Sequence, residues 1–274
     1  MNVKNILEIY EVVSDDLKFL LTSGVRTKVI ISLIDGPRNL GDLKKELNLD
    51  AASISHALKN LAERQFVVKM DNAYNLSQKG KIICIKLVDG IRTVYAVQGK
   101  EKLWLNHDIK DIPKALLNTL GDLSDSILVE SEPTDLFKPF ENYNNILLES
   151  DNIKGLSPIF RLDLVETIKK RVEDGADVEL IFTDDVLTKL LSTVDHKCLS
   201  DLENYISMDN LKIWQIDNVK IAFTVTDKFL SLGLFSSTGE YDSTKDLVSH
   251  DPDALAWGNR LFDYYKAKSE LFHL

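Results

Sequence analysis

Between Val25 and Leu76 the chain is punctuated so closely that few folds can accommodate it. Apolar residues run at helical spacing from Val25 to Ile34, and Asp35-Gly36-Pro37 stops them, because a residue before proline is pushed out of the helical region. Leu40, Leu43 and Leu47 mark one side of a second short helix. Asn48-Leu49-Asp50 then turns the chain into a third helix, predicted over about Ala52 to Arg64. Phe66 to Met70 and Tyr74 to Leu76 flank Asp71-Asn72 as a strand–turn–strand. From Gln78 a longer helix follows, with Ile82, Ile83, Cys84, Leu87, Val88, Ile91 and Val94 as its apolar positions. Ahead of the whole run, Ile6, Ile9, Tyr10, Val13, Leu17 and Leu20 predict a helix over 6–21, with Ser14-Asp15-Asp16 as an expected break. Helices this short are marginal alone, so they must pack on one another.

On the third helix Ile54, Leu58 and Leu61 fall at i, i+4 and i+7, which commits one face to that packing. Ser53, Ser55, His56, Lys59 and Asn60 are left for the outside. Hydroxyls, an imidazole, an amide and a cation can hydrogen-bond phosphates and base edges in a major groove. Arg38 precedes the second helix, whose N-terminal amides suit a phosphate, and Lys69, Asn72 and Tyr74 flank the strand turn beside the DNA backbone. Any one of these residues alone reads as ordinary solvated surface; the constellation points to DNA. Gly36-Pro37, Leu40 to Leu47, Ser53 to Leu61 and Phe66-Val67, in this order, resemble archaeal and bacterial winged-helix transcription regulators. Gln65 departs from them, standing where such proteins often carry glycine. The resemblance implies a double-stranded DNA partner, a third helix entering the major groove, and a homodimer reading two half-sites of a pseudo-palindrome.

Charge agrees with that division of labour. Net charge is −10 overall, yet residues 1–96 carry 14 Lys+Arg against 11 Asp+Glu, while 97–274 carry 19 against 32. A mildly basic first third on an acidic body is expected if only the first part meets a polyanion.

Residues 97–150 are expected as a connector, with Leu103-Trp104-Leu105 and Asp108 to Pro113 as short strands or irregular chain. Helical turns follow over Lys114 to Leu120, then a strand over Ser126 to Val129 and a helix opened by Pro133. Pro113-Lys114-Ala115-Leu116-Leu117 and Gly121-Asp122-Leu123, with the region after them, resemble the effector half of winged-helix methanogenesis regulators. That resemblance covers essentially the whole chain and implies an archaeal, ligand-responsive regulator.

From 151 onward the pattern is α/β. Strands are predicted at Asn152 to Leu156, Asp177 to Phe182, Leu211 to Ile216, Val219 to Val225 and Phe229 to Phe235. Helices are predicted at Leu162 to Glu173, Asp184 to Leu191, Cys198 to Ile206 and from Asp251-Pro252 onward. The fold class expected is therefore α+β: an N-terminal winged helix-turn-helix, residues 1–96, joined through 97–150 to a C-terminal α/β mixed-sheet domain, 151–274. The order of its elements resembles a phospholipase-D-like fold in a non-catalytic, sensing role.

Chemistry of an enzyme is not legible. The late strands lack the His-x-Lys that a phospholipase-D-like nucleophile needs, and GxxxxGK[ST], GxGxxG and GxSxG are all missing. Asp195-His196-Lys197-Cys198 offers too few ligands in one place for a zinc site, so no metal and no cofactor are expected. Cys84 and Cys198 are too few for a disulfide framework. In an open sheet a ligand sits beyond the carboxyl ends of the parallel strands, which nominates Ser157, Arg161, Thr183 and Asp184 for a small-molecule effector. With no apolar run of spanning length and no secretory leader, no membrane partner and a cytoplasmic location are expected. The alternative function is a winged-helix adaptor that binds protein instead of DNA.

Overall fold

The computed structural model describes residues 3–193, 196–207 and 210–273, and the chain divides into two units, Met1–Ile91 and Arg92–Leu274. The Asp195 to Cys198 cluster falls at the first gap, and its side chains lie outside the described residues.

The first unit holds α1 (Val3–Leu21), α2 (Gly24–Ser32), β1 (Arg38–Asn39), α3 (Leu40–Leu47), α4 (Ala51–Glu63), β2 (Val67–Met70) and β3 (Ala73–Leu76); α5 (Gln78–Val97) carries the chain across the boundary. The three strands form an antiparallel sheet in the order β1-β3-β2. Its core gathers Leu20, Val29, Ile30, Leu33, Leu43, Ile54, Leu58, Leu61, Phe66, Val67 and Cys84 from every helix, the turn after α4 and the start of β2. Local chemistry sets each helix end. Asn39 and Asp42 close a capping box on α3, and Asp50 caps α4 by accepting from the Ser53 amide at 2.8 Å. Asn48 ends α3 with a left-handed φ of 50°.

One sequence expectation changes here, and one departure finds its place. Ser14-Asp15-Asp16 do not break α1, which runs continuously. The Asp15 and Asp16 carboxylates accept from the Arg64 guanidinium at 2.8 and 2.9 Å, and Asp16 also pairs with Lys79 at 3.4 Å. The acidic pair thus holds α1 against the end of α4 and the start of α5. Gln65 takes the left-handed conformation, φ 62°, that glycine would occupy more cheaply. Around it the Gln65 amide donates to the Ala62 carbonyl and the Phe66 amide to Leu61, both at 2.9 Å, a Schellman closure sealed by Phe66 in the core.

The second unit contains α6 (Glu101–Asn106), α7 (Lys114–Leu117), a tight turn at Leu120–Leu123, β4 (Ile127–Glu130), α8 (Lys138–Leu148), β5 (Asn152–Ser157), α9 (Leu162–Glu173), β6 (Asp177–Thr183), α10 (Asp184–Thr193) and α11 (His196–Ser207). Then come β7 (Leu211–Ile216), β8 (Ile221–Thr226), β9 (Leu230–Leu234), β10 (Lys245–Ser249), α12 (Pro252–Lys266) and β11 (Glu270–Leu271). Among the described residues these strands make one sheet, β11-β7-β6-β5-β8-β9-β10-β4, parallel through β7-β6-β5 and antiparallel elsewhere. The α+β class with a mixed C-terminal sheet is what the sequence implied. Leu103-Trp104-Leu105, expected as short strand or irregular chain, lie in helix α6, with Leu103 buried in the main core. The helix expected at Pro133 begins instead at Lys138, and β4 from the 97–150 stretch pairs with β10 as part of the sheet.

Strand alternation sorts side chains onto two faces. Leu156, Ile181, Trp214, Ile221, Phe223, Val225, Leu232 and Leu247 pack with Trp257, Leu261 and Phe262 of α12. On the opposite face Ile153, Val178, Leu211 and Ile213 meet Leu147, Val172 and Leu187 from α8, α9 and α10.

Gly80 shows how closely α5 approaches the wing: a Cβ there would lie 1.9 Å from the Phe66 carbonyl oxygen, whereas one at Gly90 would meet nothing within 4 Å. Gly80→Ala should therefore destabilise the protein by more than about 2 kcal/mol, while Gly90→Ala should stabilise it by about 1 kcal/mol. Urea unfolding of the two variants checks both signs.

Candidate functional site

Helix α4 presents its residues in the division its spacing demands. Ile54, Ala57, Leu58 and Leu61 are buried; Ser55, His56 and Lys59 are exposed, and Asn60 is half-buried. Asn60 donates from Nδ2 to His56 Nε2 at 3.2 Å, and Lys59 stands 3.9 Å from Glu63. Ser53 differs from its neighbours, because its hydroxyl donates to Asp50 at 2.7 Å and its amide closes the same cap. Those bonds hold the Asp50 carboxyl below its ordinary range.

The wing candidates form a second row. Arg38 pairs in register with Tyr74, and Tyr74 with Lys69, so the three lie side by side across β1, β3 and β2. Lys69 Nζ sits 5.7 Å from the Tyr74 ring centre, and Arg38 reaches Glu46 at 3.6 Å. Tyr74 is also packed against the first unit's core, whereas Asn72 is exposed in the turn beside Asp71. The α3 amides expected to meet a phosphate are partly taken: Asn39 Oδ1 already accepts the Asp42 amide at 2.9 Å. Cys84 is fully buried with its thiol on the Ile30 carbonyl, and burial pushes its pKa up, the opposite of a reactive thiolate.

In the second unit a cavity of about 580 Å³ opens between the sheet and helices α8 to α10. It exists because the central strands present small residues there. Gly155, Ala222, Thr224, Ser231 and Gly233 line it where large apolar side chains would otherwise fill the layer. Apolar residues such as Phe140, Ile168, Leu180 and Phe182 make up the rest of its wall, with Leu136 and Phe137 exposed. Of the residues nominated from sequence, Ser157 and Arg161 line this cavity. Thr183 and Asp184 do not: Phe182 points in, so the alternation of β6 turns Thr183 away, and Asp184 opens α10 on the surface. Ser157 spends its hydroxyl on the Ile159 carbonyl and amide, and Arg161 lies over the Phe140 ring while pairing with Asp163 at 2.9 Å.

Sequence reasoning missed the polar end of the cavity. Asp246 is 6% exposed, on a strand that was not foreseen, and both its oxygens accept from the Ser231 hydroxyl at 2.8 Å. Tyr143 bonds Thr224 at 2.9 Å nearby, and Tyr241 extends its hydroxyl over Gly233. Burial raises the Asp246 carboxyl to about 7, against the smaller lowering effects of Ser231 and the Leu232 backbone. Burial likewise pushes Tyr143 up to about 12. The signal that could have found Asp246 is an acidic residue set directly before Leu247-Val248, a short apolar pair.

Two family models match: the N-terminal domain of the methanogenesis regulatory protein FilR1 over residues 14–95, and its middle domain over 136–268. Over these two stretches the chain is similar to FilR1. The FilR1 of Methanothrix harundinacea (strain 6Ac) is 26% identical over 258 residues, which takes in 92% of this chain and 57% of that protein. The chain thus spans little more than half the length of that curated relative. Among solved structures, TrmBL2, described as an archaeal chromatin protein with a novel mode of DNA binding, is 18% identical, with a TM-score of 0.43 over 92% of this chain and 97% of that one. The quinone-bound YodB of B. subtilis is 19% identical, with a TM-score of 0.25 over 34% of this chain and 93% of that one. Likeness at these TM-scores carries no functional argument. Among the described residues no helix is long and apolar enough to cross a membrane, and no group of His, Cys, Asp and Glu could hold a metal ion.

A carboxyl held near 7 in the fold and near 4 in the unfolded chain stays protonated in the native state while the unfolded state ionises. The unfolded state then binds fewer protons, so stability falls as pH rises from about 4 to about 7 and is flat above. Asp246→Asn removes that loss. Its melting temperature should equal or exceed the parent's at pH 8 and differ least at pH 4, which thermal melts across this range will read.

Proposed function

We propose that the chain is a sequence-specific DNA-binding transcriptional regulator, homodimeric and ligand-responsive, acting in the cytoplasm. The observation that carries this reading is the row of exposed Ser55, His56 and Lys59 with half-buried Asn60 on α4, backed by a fully buried stripe and flanked by the Arg38-Tyr74-Lys69 row of the wing. The relation to FilR1, a regulatory protein by its name, supports it. In this reading α4 enters the major groove, while Lys69 and Asn72 meet the backbone beside it. Ser53 serves through the Asp50 cap that fixes where α4 begins, and Arg38 and Tyr74 brace the wing. Residues 1–96 act as the DNA-binding part, 97–150 as connector and 151–274 as the sensing part, resembling a phospholipase-D-like fold without its catalysis.

Helix α1 supports the homodimer, because Val3, Leu7, Ile9, Val12, Leu17 and Leu21 are all exposed and Leu20 is its buried residue. Ile82, Val94 and Tyr95 of α5 add exposed apolar surface. Apolar faces of this extent are usually covered by a partner. A ligand in the cavity would favour one arrangement of the paired DNA-binding units over another, which is how affinity for DNA would respond.

Titration of duplex DNA at several salt concentrations tests the reading. Binding should weaken steeply with salt, and Lys59→Ala should lower affinity and reduce the salt slope by about 1. Sedimentation of the same protein should give a dimer that Val12→Asp dissociates. Salt-independent or absent DNA binding by a folded protein would favour the adaptor instead.

A further inference from the structure

The cavity of the second unit has a property its general role does not explain: among the described residues, its ionisable wall is out of charge balance at one end. Arg161 is committed to Asp163 and to the face of Phe140, Lys245 to Asp242 at 2.9 Å, and Lys169 is engaged as well. Asp246 has the Ser231 hydroxyl and the Leu232 backbone amide, and among the described residues no cation pairs with it. It is more than nine-tenths buried and lines the space directly, with the hydroxyls of Thr224, Ser231, Tyr143 and Tyr241 around it. A buried carboxylate without a cation is costly, and a position within β10 filled by Asp instead of a sheet-forming apolar residue adds to that cost. The rest of the wall is mainly apolar, and the volume is that of sites for drug-sized molecules.

We infer that this cavity takes an organic ammonium, its apolar body against Phe140, Ile168, Leu180 and Phe182 and its protonated amine against the Asp246 carboxylate. The inference rests on the reading of the second unit as a sensing part and names the class of ligand sensed. Such a ligand supplies the missing charge, whereas a carboxylate ligand would place a second anion beside Asp246 and an alcohol would leave the charge unpaired. The groups around Asp246 make the effect readable by pH. Tyr143 and Tyr241 hold their protons through the neutral range. Asp246 itself sits near 7 in the empty cavity, so it must ionise before an ammonium can pair with it.

Three probes of matched size test this on the full chain by calorimetric titration without DNA: 4-phenylbutylammonium, 4-phenylbutanol and 4-phenylbutyrate. The ammonium should bind at least about tenfold tighter than either of the others at pH 8, and about tenfold tighter at pH 8 than at pH 6, while the alcohol's affinity stays level. Asp246→Asn, isosteric and folded by circular dichroism, should bring ammonium and alcohol within about twofold of each other. Equal or tighter binding of the alcohol or carboxylate, no saturable binding of the ammonium, or a preference unchanged in the Asn variant overturns the inference. Because binding is read without DNA, its outcome is separate from the regulator reading. An ammonium that binds as expected and leaves DNA affinity unaltered would sink the sensing role alone.

Discussion

Burying the apolar stripe of α4 decides what the first unit can do. Ile54, Ala57, Leu58 and Leu61 close the core against α2, α3 and the first wing strand, so Ser55, His56 and Lys59 have nowhere to go but outward. The helix is also fixed at both ends, by Asp50 at its start and by the left-handed Gln65 with Phe66 at its finish. A reading element held on rigid supports presents its side chains at fixed spacing, which sequence-specific contact requires. The Asp15-Asp16-Arg64-Lys79 cluster extends the same bracing to α1 and α5, the helices whose apolar faces remain open.

The second unit solves a different problem. Its sheet is filled on one face by α12 with large side chains, and on the other it is deliberately underfilled by glycine, alanine, serine and threonine. Underfilling sacrifices packing that would otherwise stabilise the layer, and a raised carboxyl at its end sacrifices more. Local departures from the most stable arrangement are where function concentrates. The two units therefore divide the work: one rigidly displays a polar row, the other encloses a space.

Much of this was legible from the residues. Helical and strand periods placed α2 to α5 and β5 to β9 because each has a clear buried face, and Leu162–Glu173 is a helix over the span its pattern marks. Other features escaped for identifiable reasons. Ser14-Asp15-Asp16 looked like a break because its partners, Arg64 and Lys79, lie some fifty to sixty residues away in the chain. Leu103-Trp104-Leu105 read as strand because a six-residue helix is too short to display a period. The cavity was half seen, through Ser157 and Arg161 at a strand end, since a wall assembled from β5, β8, β9 and β10 has no signature within any one segment. Asp246 escaped with the strand that bears it.

The central claim, that the α4 face reads DNA sequence, is tested most directly by selecting bound fragments from sheared genomic DNA with the purified full chain near physiological salt. The account predicts enrichment of one site with two-fold symmetry, its half-sites spaced by about one helical turn, and loss of that enrichment when His56, Lys59 and Asn60 are replaced together by alanine. Fragments recovered without a shared site, or a shared site recovered equally well by the triple variant, would contradict it.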